Sequence, residues 1–505
     1  MRKTWDLETD VIVVGYGLSG GVAAVSARDA GAEVLIVEKG KYPGGCSILA
    51  GGMARCVDDA DAAFQYLTAI SGGRIEPDMI RAFAVALAGN DAFVRQLATT
   101  NGADVRRVPG FPGEYPFPGR ETIYYVRIAK IPGFTGFPWL QCYATASGVI
   151  LMKLIMDNVD ARGVKVMTSA PARRMETDGA GAVVGIIAEN DGRHIAIRAR
   201  RGVILATGGF EQSEWFHKQY LQGRPFYSMA PLTHTGDGIV MAQKVGAALW
   251  HMWHVHGSYG FKTPDSPIAY RHPFPGHRNP KRRMPWVVVD KFGSRYMNEY
   301  PPAPQDTGHR AMEIFDPDLP GYPRIPSFVI FDEDGRNMGA IGKPMAFEGY
   351  EYEWSDDNSA EIEKGWILRA GNLADLAAVI RERVPEDEGW MDAEQLEATV
   401  NDWNRCVEGG QDPFHRPPGT MKAIAKPPFY AAAVWPIISN TQGGPVHNAR
   451  QQVIDSFGQP IPHLYAVGEL GSFFGHLYEL GGNLGECLSS GRIAGHSAAL
   501  ETPSS

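Results

Sequence analysis

Residues 10–20 read DVIVVGYGLSG and carry the most specific structural signal in this chain. Residues 11–14 are apolar throughout, which predicts a parallel strand buried on both faces. A GxGxxG pattern follows at once and leads into a helical pattern, and a second strand-like run then ends at Glu38. Strand, glycine turn, helix, strand and acid in this order predict a Rossmann-like site for a dinucleotide.

The three glycines of this pattern have different physical roles. The first permits a tight turn, the second lets the backbone approach a pyrophosphate, and the third lets helix and strand pack closely. The helix N-terminus attracts the phosphate charge, and the acid that ends the second strand can accept hydrogen bonds from ribose hydroxyls. The residues that this pattern assigns to the dinucleotide are Gly15, Gly17, Leu18, Ser19, Gly20, Glu38 and Lys39.

Length and composition narrow the protein class. The 505 residues predict more than one domain, and the net charge of -9 argues against a nucleic-acid surface. The five cysteines are never spaced CxxC, so we expect no disulfide framework, no iron–sulfur cluster and no metal site. No apolar run approaches membrane-spanning length, and the first strand begins too early for a signal peptide to precede it. We therefore expect a cytoplasmic protein without a transmembrane segment.

Three further segments resemble FAD-binding elements of the fumarate reductase and succinate dehydrogenase flavoprotein superfamily. KYPGGCSILAGGM at residues 41–53 resembles the loop that runs along the FAD pyrophosphate, and VILATGG at 203–209 and LYAVGE at 464–469 match two other elements. No second GxGxxG follows a later strand, so we expect no separate NAD(P)H domain. The additional FAD contacts implied by the resemblance are Gly44, Gly45, Cys46, Ser47, Gly51, Gly52, Ala206, Thr207, Gly208, Asp237, Gly468, Glu469, Asn483 and Leu484.

The resemblance also implies how the FAD is attached. Cys46 lies about where succinate dehydrogenase carries the histidine that links its flavin covalently. A cysteinyl link is one alternative, and a small buried side chain in a non-covalent site is the other. We favour non-covalent FAD, with one FAD per chain.

The resemblance extends over most of the chain and implies its domain organisation. Further matches to the superfamily are TGDG at residues 235–238, DKFGSRYMNE at 290–299 and SNTQGG at 439–444. The implied fold class is α/β, with a Rossmann-like FAD-binding domain split into residues 1–255 and 437–505. An inserted α+β capping domain, residues 256–436, would cover the flavin and shape the substrate site.

The chain departs from fumarate reductases at three positions. Those enzymes hold a dicarboxylate with a histidine and an arginine and use a second arginine to deliver a proton. The corresponding residues here are Asn440, Glu479 and Ala303. A glutamate that faces a substrate carboxylate would repel it, so the sequence argues against fumarate and succinate as substrates.

The segment GHLYELGG, residues 475–482, instead resembles the GHxYxxxG loop of 3-ketosteroid 1-dehydrogenases. In that family the tyrosine hydroxyl and a glycine amide bind the substrate ketone, which acidifies the adjacent C–H bond. By resemblance Tyr478 and Gly482 take these roles. The alternative is that Tyr478 is only a packed aromatic residue.

Ala303 stands where the ketosteroid dehydrogenases carry a tyrosine that acts as general base. An alanine transfers no proton. Either another group handles the proton, or the chain is a variant disabled at this position, or the register slips in the proline-rich segment around it. The other candidates for proton transfer are Tyr300, Asp306, His256, Tyr124 and Tyr125.

Three functions are compatible with these residues. The leading hypothesis is an FAD-dependent oxidoreductase that interconverts CH–CH and C=C next to a ketone on an apolar cyclic substrate. Desaturation is slightly favoured because the tyrosine–glycine pair suits ketone activation, although the same groups serve reduction. The alternatives are an enoate reductase, similar to fumarate reductase, with an altered acid-binding site, and a non-catalytic flavin subunit for electron transfer. Each requires an electron acceptor or donor that the sequence does not identify.

Overall fold

In the computed structural model, the described residues are 4–110, 115–140, 146–272, 282–301, 303–342, 345–347, 350–384 and 390–504. Cys142 lies outside them. Within them, strands β1 to β24 are, in chain order, Leu7–Val14, Val34–Val37, Ala54–Val57, Asp104–Pro109, Ile123–Lys130, Lys165–Met167, Ala172–Thr177, Val183–Asn190, Arg193–Leu205, Tyr227–Ser228, Leu249–Trp250, Val255–His256, Tyr259–Phe261, Tyr270–Arg271, Trp286–Val289, Ser327–Asp332, Met345–Phe347, Tyr350–Tyr352, Leu368–Ala370, Phe429–Ile438, Asn440–Thr441, Gly444–Pro445, Gln452–Ile454 and Pro460–Ala466.

Helices α1 to α14 of the same residues are Leu18–Asp29, Gly45–Leu49, Ala60–Ser71, Pro77–Ala88, Asn90–Ala98, Ala146–Ala161, Glu214–Tyr220, Asp237–Lys244, Pro304–Thr307, Glu333–Arg336, Ser359–Glu363, Leu373–Arg383, Ala393–Gly409 and Gly482–Ala499. None of them is long and apolar enough to cross a membrane.

The first sheet has the strand order β23-β24-β9-β1-β2-β6, with β8 and β7 joined antiparallel beyond β9. Strand β1 lies parallel to both of its neighbours, with Val11 paired to Val34 on one side and to Gly202 on the other. The side chains of Val11, Ile12 and Val13 are fully buried. The predicted parallel strand with two buried faces is therefore confirmed.

Both ends of the chain meet beside this sheet, where helix α14 packs on helix α1. A Cβ on Gly491 would lie 2.8 Å from the Ser19 carbonyl oxygen, and one on Gly495 would lie 2.3 Å from that of Ala23. Only glycine allows the two helix backbones to come this close. The C-terminal helix thus reaches the glycine turn of the first strand.

The second sheet, here called the cap sheet, has the order β14-β13-β20-β16-β15, with β10 and β19 also paired to β20. Its neighbours are antiparallel except for the β10–β20 pair. The side chains of α12 and α13 share an apolar core with β15 and β16. The molecule is thus α/β with a second, mainly antiparallel region, as predicted. The boundaries at residues 255–256 and 436–437 stay predictions, and residues 227–228 of β10 belong to the cap sheet.

Candidate functional site

A cavity opens at the carboxyl ends of β1, β2 and β9, where α/β sheets bind nucleotides. Most residues that the sequence assigned to FAD line it, although their role in binding stays a prediction. They are Gly15, Gly17, Ser19, Glu38, Lys39, Gly45, Cys46, Ser47, Ala206, Thr207, Gly208, Asp237 and Glu469. The other assigned residues are not part of the lining: Leu18, Gly20, Gly44, Gly51, Gly52, Gly468, Asn483 and Leu484.

The glycines of the first turn differ in what surrounds them. A Cβ on Gly15 would lie 2.3 Å from the Ala206 carbonyl oxygen, and one on Gly20 would lie 2.0 Å from that of Gly15. A Cβ on Gly17 would meet nothing closer than 3.7 Å. The first and third glycines are therefore required by the protein itself, whereas Gly17 leaves open space at the N-terminus of α1.

Glu38 lies at the end of β2 with its carboxylate turned toward the turn. It accepts hydrogen bonds from the backbone amides of Tyr16 and Gly40, each at 2.6 Å. Burial raises the pKa of Glu38, and these two amides oppose that rise. On the rim, Lys39 donates to Asp237 at 2.7 Å and to Thr235 at 2.8 Å.

The cavity has the features that an FAD pyrophosphate and ribityl chain require. Gly17 has no side chain to cap helix α1, and the Ser47 hydroxyl accepts from the Leu18 amide at 3.2 Å, so a phosphate group can meet the remaining amides of the first turn. The Thr207 hydroxyl is buried on the wall without a hydrogen-bond partner in the described part of the chain, although buried hydroxyls are normally paired. The residues present therefore fit the cofactor that the sequence predicts.

Several wall residues were missed by the sequence analysis. Tyr42 and Trp139 stack face to face with ring centroids 4.4 Å apart, and both line the cavity. His234 lies on the wall and immediately precedes the TGDG segment. The position of His234 beside the TGDG match was a signal that could have identified it. No comparable signal in the sequence places Trp139 next to the glycine turn after β1.

His234 belongs to a buried polar cluster on the cavity wall. Its Nδ1 lies 3.1 Å from a Glu211 carboxylate oxygen and 3.5 Å from the Cys46 sulfur. The Asn440 amide donates to Glu469 at 2.7 Å. Burial and the neighbouring Glu211 raise the pKa of Glu469 well above its usual range. Burial works in the same direction on Glu211, but hydrogen bonds from Glu469 and His234 lower its pKa, so Glu469 holds the proton of this pair.

The same cluster contains three side chains of metal-ligating type. Ligand atoms of Cys46, His234 and Glu469 lie within 4.8 Å of one another. Burial raises the pKa of the Cys46 thiol well above its usual range, so the sulfur stays protonated and is a poor metal ligand. The absence of a metal site stays a prediction.

Tyr478 lies in the turn that precedes α14. Its side chain is 6% exposed, and burial raises the pKa of its hydroxyl, which keeps the proton for donation. The Asn483 amide approaches the hydroxyl oxygen at 3.5 Å. Gly482 is the first residue of α14, and its amide donates to the Glu479 carbonyl at 3.0 Å. The predicted role of Gly482 as a second donor to a ketone stays a prediction.

His256 packs against Tyr478, with ring centroids 4.1 Å apart. The pairing of β12 with β21 places His256 opposite Asn440, whose side-chain amide donates a hydrogen bond to Glu469 on the wall of the cavity. The ring is buried, and neither nitrogen has a hydrogen-bond partner in the described part of the chain. Burial and the charge of Arg271 lower the pKa of His256 to about 3, although the Asp306 carboxylate and the nearby Asn440 side chain oppose this shift. The Asn440 side chain is near the ring but does not form a hydrogen bond of good geometry with either nitrogen. His256 is therefore neutral at neutral pH.

Asp306 holds the backbone of this turn. It accepts hydrogen bonds from the Tyr478 amide and the Tyr115 hydroxyl, both at 3.0 Å, and lies 2.8 Å from His254 Nε2. Burial works to raise the pKa of Asp306, but His254 and Arg310 hold it well below its usual range. Asp306 therefore stays ionised, and its carboxylate is already engaged by structural partners.

The remaining candidates for proton transfer lie away from Tyr478 or are enclosed. Tyr300 packs against the core of the cap sheet. The Tyr124 hydroxyl approaches an Asp91 carboxylate oxygen at 3.4 Å. Tyr125 is fully buried against Gly481.

Ala303 packs against the apolar cluster that contains Tyr478. It adopts a φ of 45°, in the left-handed region, and its carbonyl accepts from the Asp306 amide at 2.8 Å. Its side chain offers no titratable group, so the structure supplies no base at this position.

Glu479 does not direct its charge toward a substrate, contrary to the sequence-based expectation. Its carboxylate pairs with Arg55 at 2.9 Å and accepts from the Tyr115 amide at 2.6 Å. Both charged side chains are 1% exposed. Arg55 also donates to the Leu480 carbonyl at 3.0 Å. The predicted repulsion of a dicarboxylate by Glu479 is therefore not supported, because the charge of Glu479 is neutralised by Arg55.

Known proteins resemble the chain over almost all of its length. The family model described as FAD binding domain matches residues 10–484. A 4-oxocyclohexanecarboxylate 2-dehydrogenase of Sinomonas cyclohexanicum is 26% identical, over 97% of this chain and 92% of that protein. A urocanate reductase of Eggerthella lenta is 28% identical, over 97% of this chain and 75% of that protein.

A solved structure shows the same fold. The 3-ketosteroid delta1-dehydrogenase from Sterolibacterium denitrificans superposes with a TM-score of 0.79 at 23% identity, over 97% of this chain and 99% of that one. The family match covers both glycine-rich ends and the region between them. This chain therefore belongs to the FAD binding domain family and is an FAD-dependent oxidoreductase.

Proposed function

We propose that this protein interconverts CH–CH and C=C next to a ketone on an apolar cyclic substrate, with desaturation as the favoured direction. FAD bound non-covalently in the cavity of the first sheet supplies the hydride acceptor or donor. The raised pKa of the Cys46 thiol supports non-covalent attachment, because the thiol is a weaker nucleophile than a thiolate.

The observation that carries this proposal is the buried contact between Tyr478 and His256 next to the cavity. A protonated hydroxyl and a neutral imidazole lie side by side in a site shielded from water. Asn440 connects this pair to Glu469 on the cavity wall. A ketone placed between the pair and the flavin would meet a donor for its oxygen and an acceptor for the adjacent proton.

Tyr478 donates its hydroxyl proton to the ketone oxygen as a hydrogen bond. Negative charge grows on that oxygen as the adjacent proton leaves, and a fixed donor in a dry site stabilises this charge more than it stabilises the ground state. The Gly482 amide is the second donor in this proposal, which requires it to leave the Glu479 carbonyl that it contacts at 3.0 Å.

His256 accepts the proton from the carbon next to the ketone. It is the candidate that touches Tyr478, and both of its nitrogens are without hydrogen-bond partners among the described residues. Burial keeps it neutral over the whole physiological pH range, and its pKa of about 3 must rise in the substrate complex for it to act as an efficient base. The 26% identity to a dehydrogenase whose name specifies an oxocyclohexane acid supports a cyclic ketone as substrate class.

A second candidate function is reduction of an enoate, supported by the 28% identity to a urocanate reductase. It requires a cation for the substrate carboxylate, and the Arg55 guanidinium near the loop is paired with Glu479. This pairing favours the ketone function over the enoate function.

Product analysis tests the two functions against each other. The holoenzyme is incubated with a saturated 3-ketosteroid, a cyclohexanone or succinate and an artificial electron acceptor. In the reverse direction it is incubated with the matching enone or fumarate and a reduced dye. We expect conversion of ketones and enones only. Conversion of fumarate or succinate at a rate equal to or above that of the ketones would overturn the proposal.

A further inference from the structure

A second cavity, here called the cap cavity, opens on the cap sheet and has a volume of about 620 Å³. Its floor is formed by Tyr227 of β10, Phe261 of β13 and Trp435 of β20, and its walls include Trp354 and Trp366. It shares no lining residue with the flavin cavity. Its volume lies within the range of about 300–1,000 Å³ that is typical of small-molecule sites.

The walls of the cap cavity are aromatic. Tyr227 and Trp435 meet edge to face with centroids 5.7 Å apart, and Trp354 lies 6.2 Å from Trp366 and 5.3 Å from Phe261. Rings from three strands and two loops thus surround one space. Aromatic walls of this kind favour a flat ring, which can stack on their faces or meet their edges.

Among the described residues that line the cap cavity, the charges are mainly positive. They are Lys262, Lys364 and Arg383, against the acid Asp265. The Lys364 ammonium lies 4.4 Å from the centre of the Trp366 ring, over the aromatic wall. Because Lys364 and Arg383 are exposed at the mouth, they can meet an anionic group on a ligand whose ring lies inside.

Two buried polar atoms of the lining residues lack partners in the part of the chain that the structure describes. They are the Thr263 hydroxyl and the Trp435 indole nitrogen, in residues that are 3% and 7% exposed. Each of these two atoms has almost no accessible surface, so a ligand in the cap cavity would reach it only after a side-chain rotation.

We propose that the cap cavity binds a planar aromatic carboxylate, at a site separate from the flavin cavity. The aromatic walls hold the ring, and Lys364 and Arg383 hold the carboxylate. The cap cavity is bounded by β20, which leads directly to Ser439 and Asn440 beside the flavin cavity.

The test uses the FAD-loaded enzyme and 2-naphthoate, with binding followed by quenching of tryptophan fluorescence. Two matched ligands separate the contribution of the aromatic ring to binding from that of the carboxylate. 2-Naphthalenemethanol keeps the rings without the charge, and cyclohexanecarboxylate keeps the charge without an aromatic ring. We expect saturable binding of 2-naphthoate and at least about tenfold weaker binding of both analogues.

Variants then place the ligand. Lys364→Ala combined with Arg383→Ala should weaken 2-naphthoate binding by about tenfold or more, whereas Lys244→Ala, an exposed lysine on α8, should leave it unchanged. The flavin absorbance spectrum should stay constant during the titration. Non-saturable quenching, equal affinity in the parent and the double variant, or a perturbed flavin spectrum that tracks binding would each overturn the proposal.

Discussion

At the scale of single residues, the proposed reaction depends on two buried rings, those of Tyr478 and His256. His256 is neutral because its surroundings exclude water, and it has no internal partner among the described residues. Burying an imidazole without a hydrogen-bond partner lowers the stability of the folded protein, because buried polar atoms normally have hydrogen bonds. Such a residue is therefore a candidate for a function. The substrate supplies that partner in the proposed function.

His256→Gln should lower kcat for a cyclic ketone by roughly 10²–10⁴, the range for a positioned acid–base group. Glutamine retains hydrogen-bonding capacity but cannot accept a carbon-bound proton. The matched control is His272→Gln, which replaces a buried histidine in the cap region. A fall of less than about fivefold in steady-state kcat, with FAD content unchanged, would remove His256 from the mechanism.

Local sequence motifs predict some residue positions in this protein but not the contacts between distant residues. Gly15, Gly17 and Glu38 were predictable because their roles follow from backbone geometry within one local motif. The partner of Glu479 was not, because Arg55 lies 424 positions away in the chain and nothing in the loop motif specifies it. The position of the Glu479 charge was predictable from the sequence, but the partner toward which its carboxylate points was not.

At the scale of elements, a substitution in the turn before α1 should affect cofactor binding without affecting folding. Gly17→Ala should leave the fold intact, since the added Cβ meets nothing closer than 3.7 Å, but it should place a methyl group where a pyrophosphate approaches. We expect a loss of FAD affinity of at least about tenfold, which a single steric contact readily produces.

FAD affinity is measured by titrating the apoprotein and following flavin fluorescence, with folding checked by circular dichroism. Gly371→Ala is the control. A Cβ at residue 371 would have no neighbour within 4 Å, and the residue is far in sequence from the glycine turn before α1. Unchanged FAD affinity in Gly17→Ala would show that the pyrophosphate does not bind at the N-terminus of α1.

The turn that carries Tyr478 depends on the buried ion pair of β3 with Glu479. Arg55→Met leaves the Glu479 carboxylate buried without its charge partner, which typically costs about 3–5 kcal/mol. The double variant Arg55→Met/Glu479→Gln removes both charges and should recover much of that loss. Urea denaturation followed by circular dichroism measures the free energy of unfolding of the single and the double variant.

The control for this pair is Arg107→Met, which breaks the ion pair with Asp58 at the surface, where both side chains are about half exposed. Such a pair contributes less than about 1 kcal/mol. A double variant as unstable as Arg55→Met alone would show that the arginine matters through packing rather than through charge.

Element types were largely predictable where the periodicity was strong, as in β1 and α1. The cap sheet was harder to define, because β10 is two residues long and joins it from a segment placed in the other domain. A two-residue strand carries no periodicity, and only its partner in the fold identifies it.

At the scale of the whole molecule, buried neutral histidines connect stability to pH. Burial lowers the pKa of His272 to about 4 and those of His251 and His256 to about 3. Between those values and about 6.5 the unfolded chain binds protons that the native protein does not. Stability from these residues is therefore complete above about pH 6.5 and is lost as the pH falls below it.

His272→Gln should remove about 2 kcal/mol of the stability loss between pH 7 and pH 5, because burial lowers the pKa of this one group to about 4. Urea denaturation at the two pH values measures this difference. His194→Gln, at an exposed histidine, is the control and should not change it. An identical pH dependence in His272→Gln and the parent would mean that folding does not lower the pKa of His272.

The proposed function requires both ends of the chain and the cap region to meet around one substrate. Strand β1 supplies the FAD turn, α14 is preceded by the turn that carries Tyr478, and β12 supplies His256. The most direct measurement is the rate of anaerobic flavin reduction by a saturated cyclic ketone, in the parent and in Tyr478→Phe.

Tyr478→Phe keeps the ring and its packing and removes only the hydroxyl. Loss of one such donor should slow flavin reduction by roughly 10²–10³, or about 2.7–4 kcal/mol, while FAD content stays the same. Tyr66→Phe, at a buried tyrosine of the same apolar cluster, is the control and should reduce its flavin at nearly the parent rate. Flavin reduction in Tyr478→Phe within about fivefold of the parent would contradict ketone activation by Tyr478.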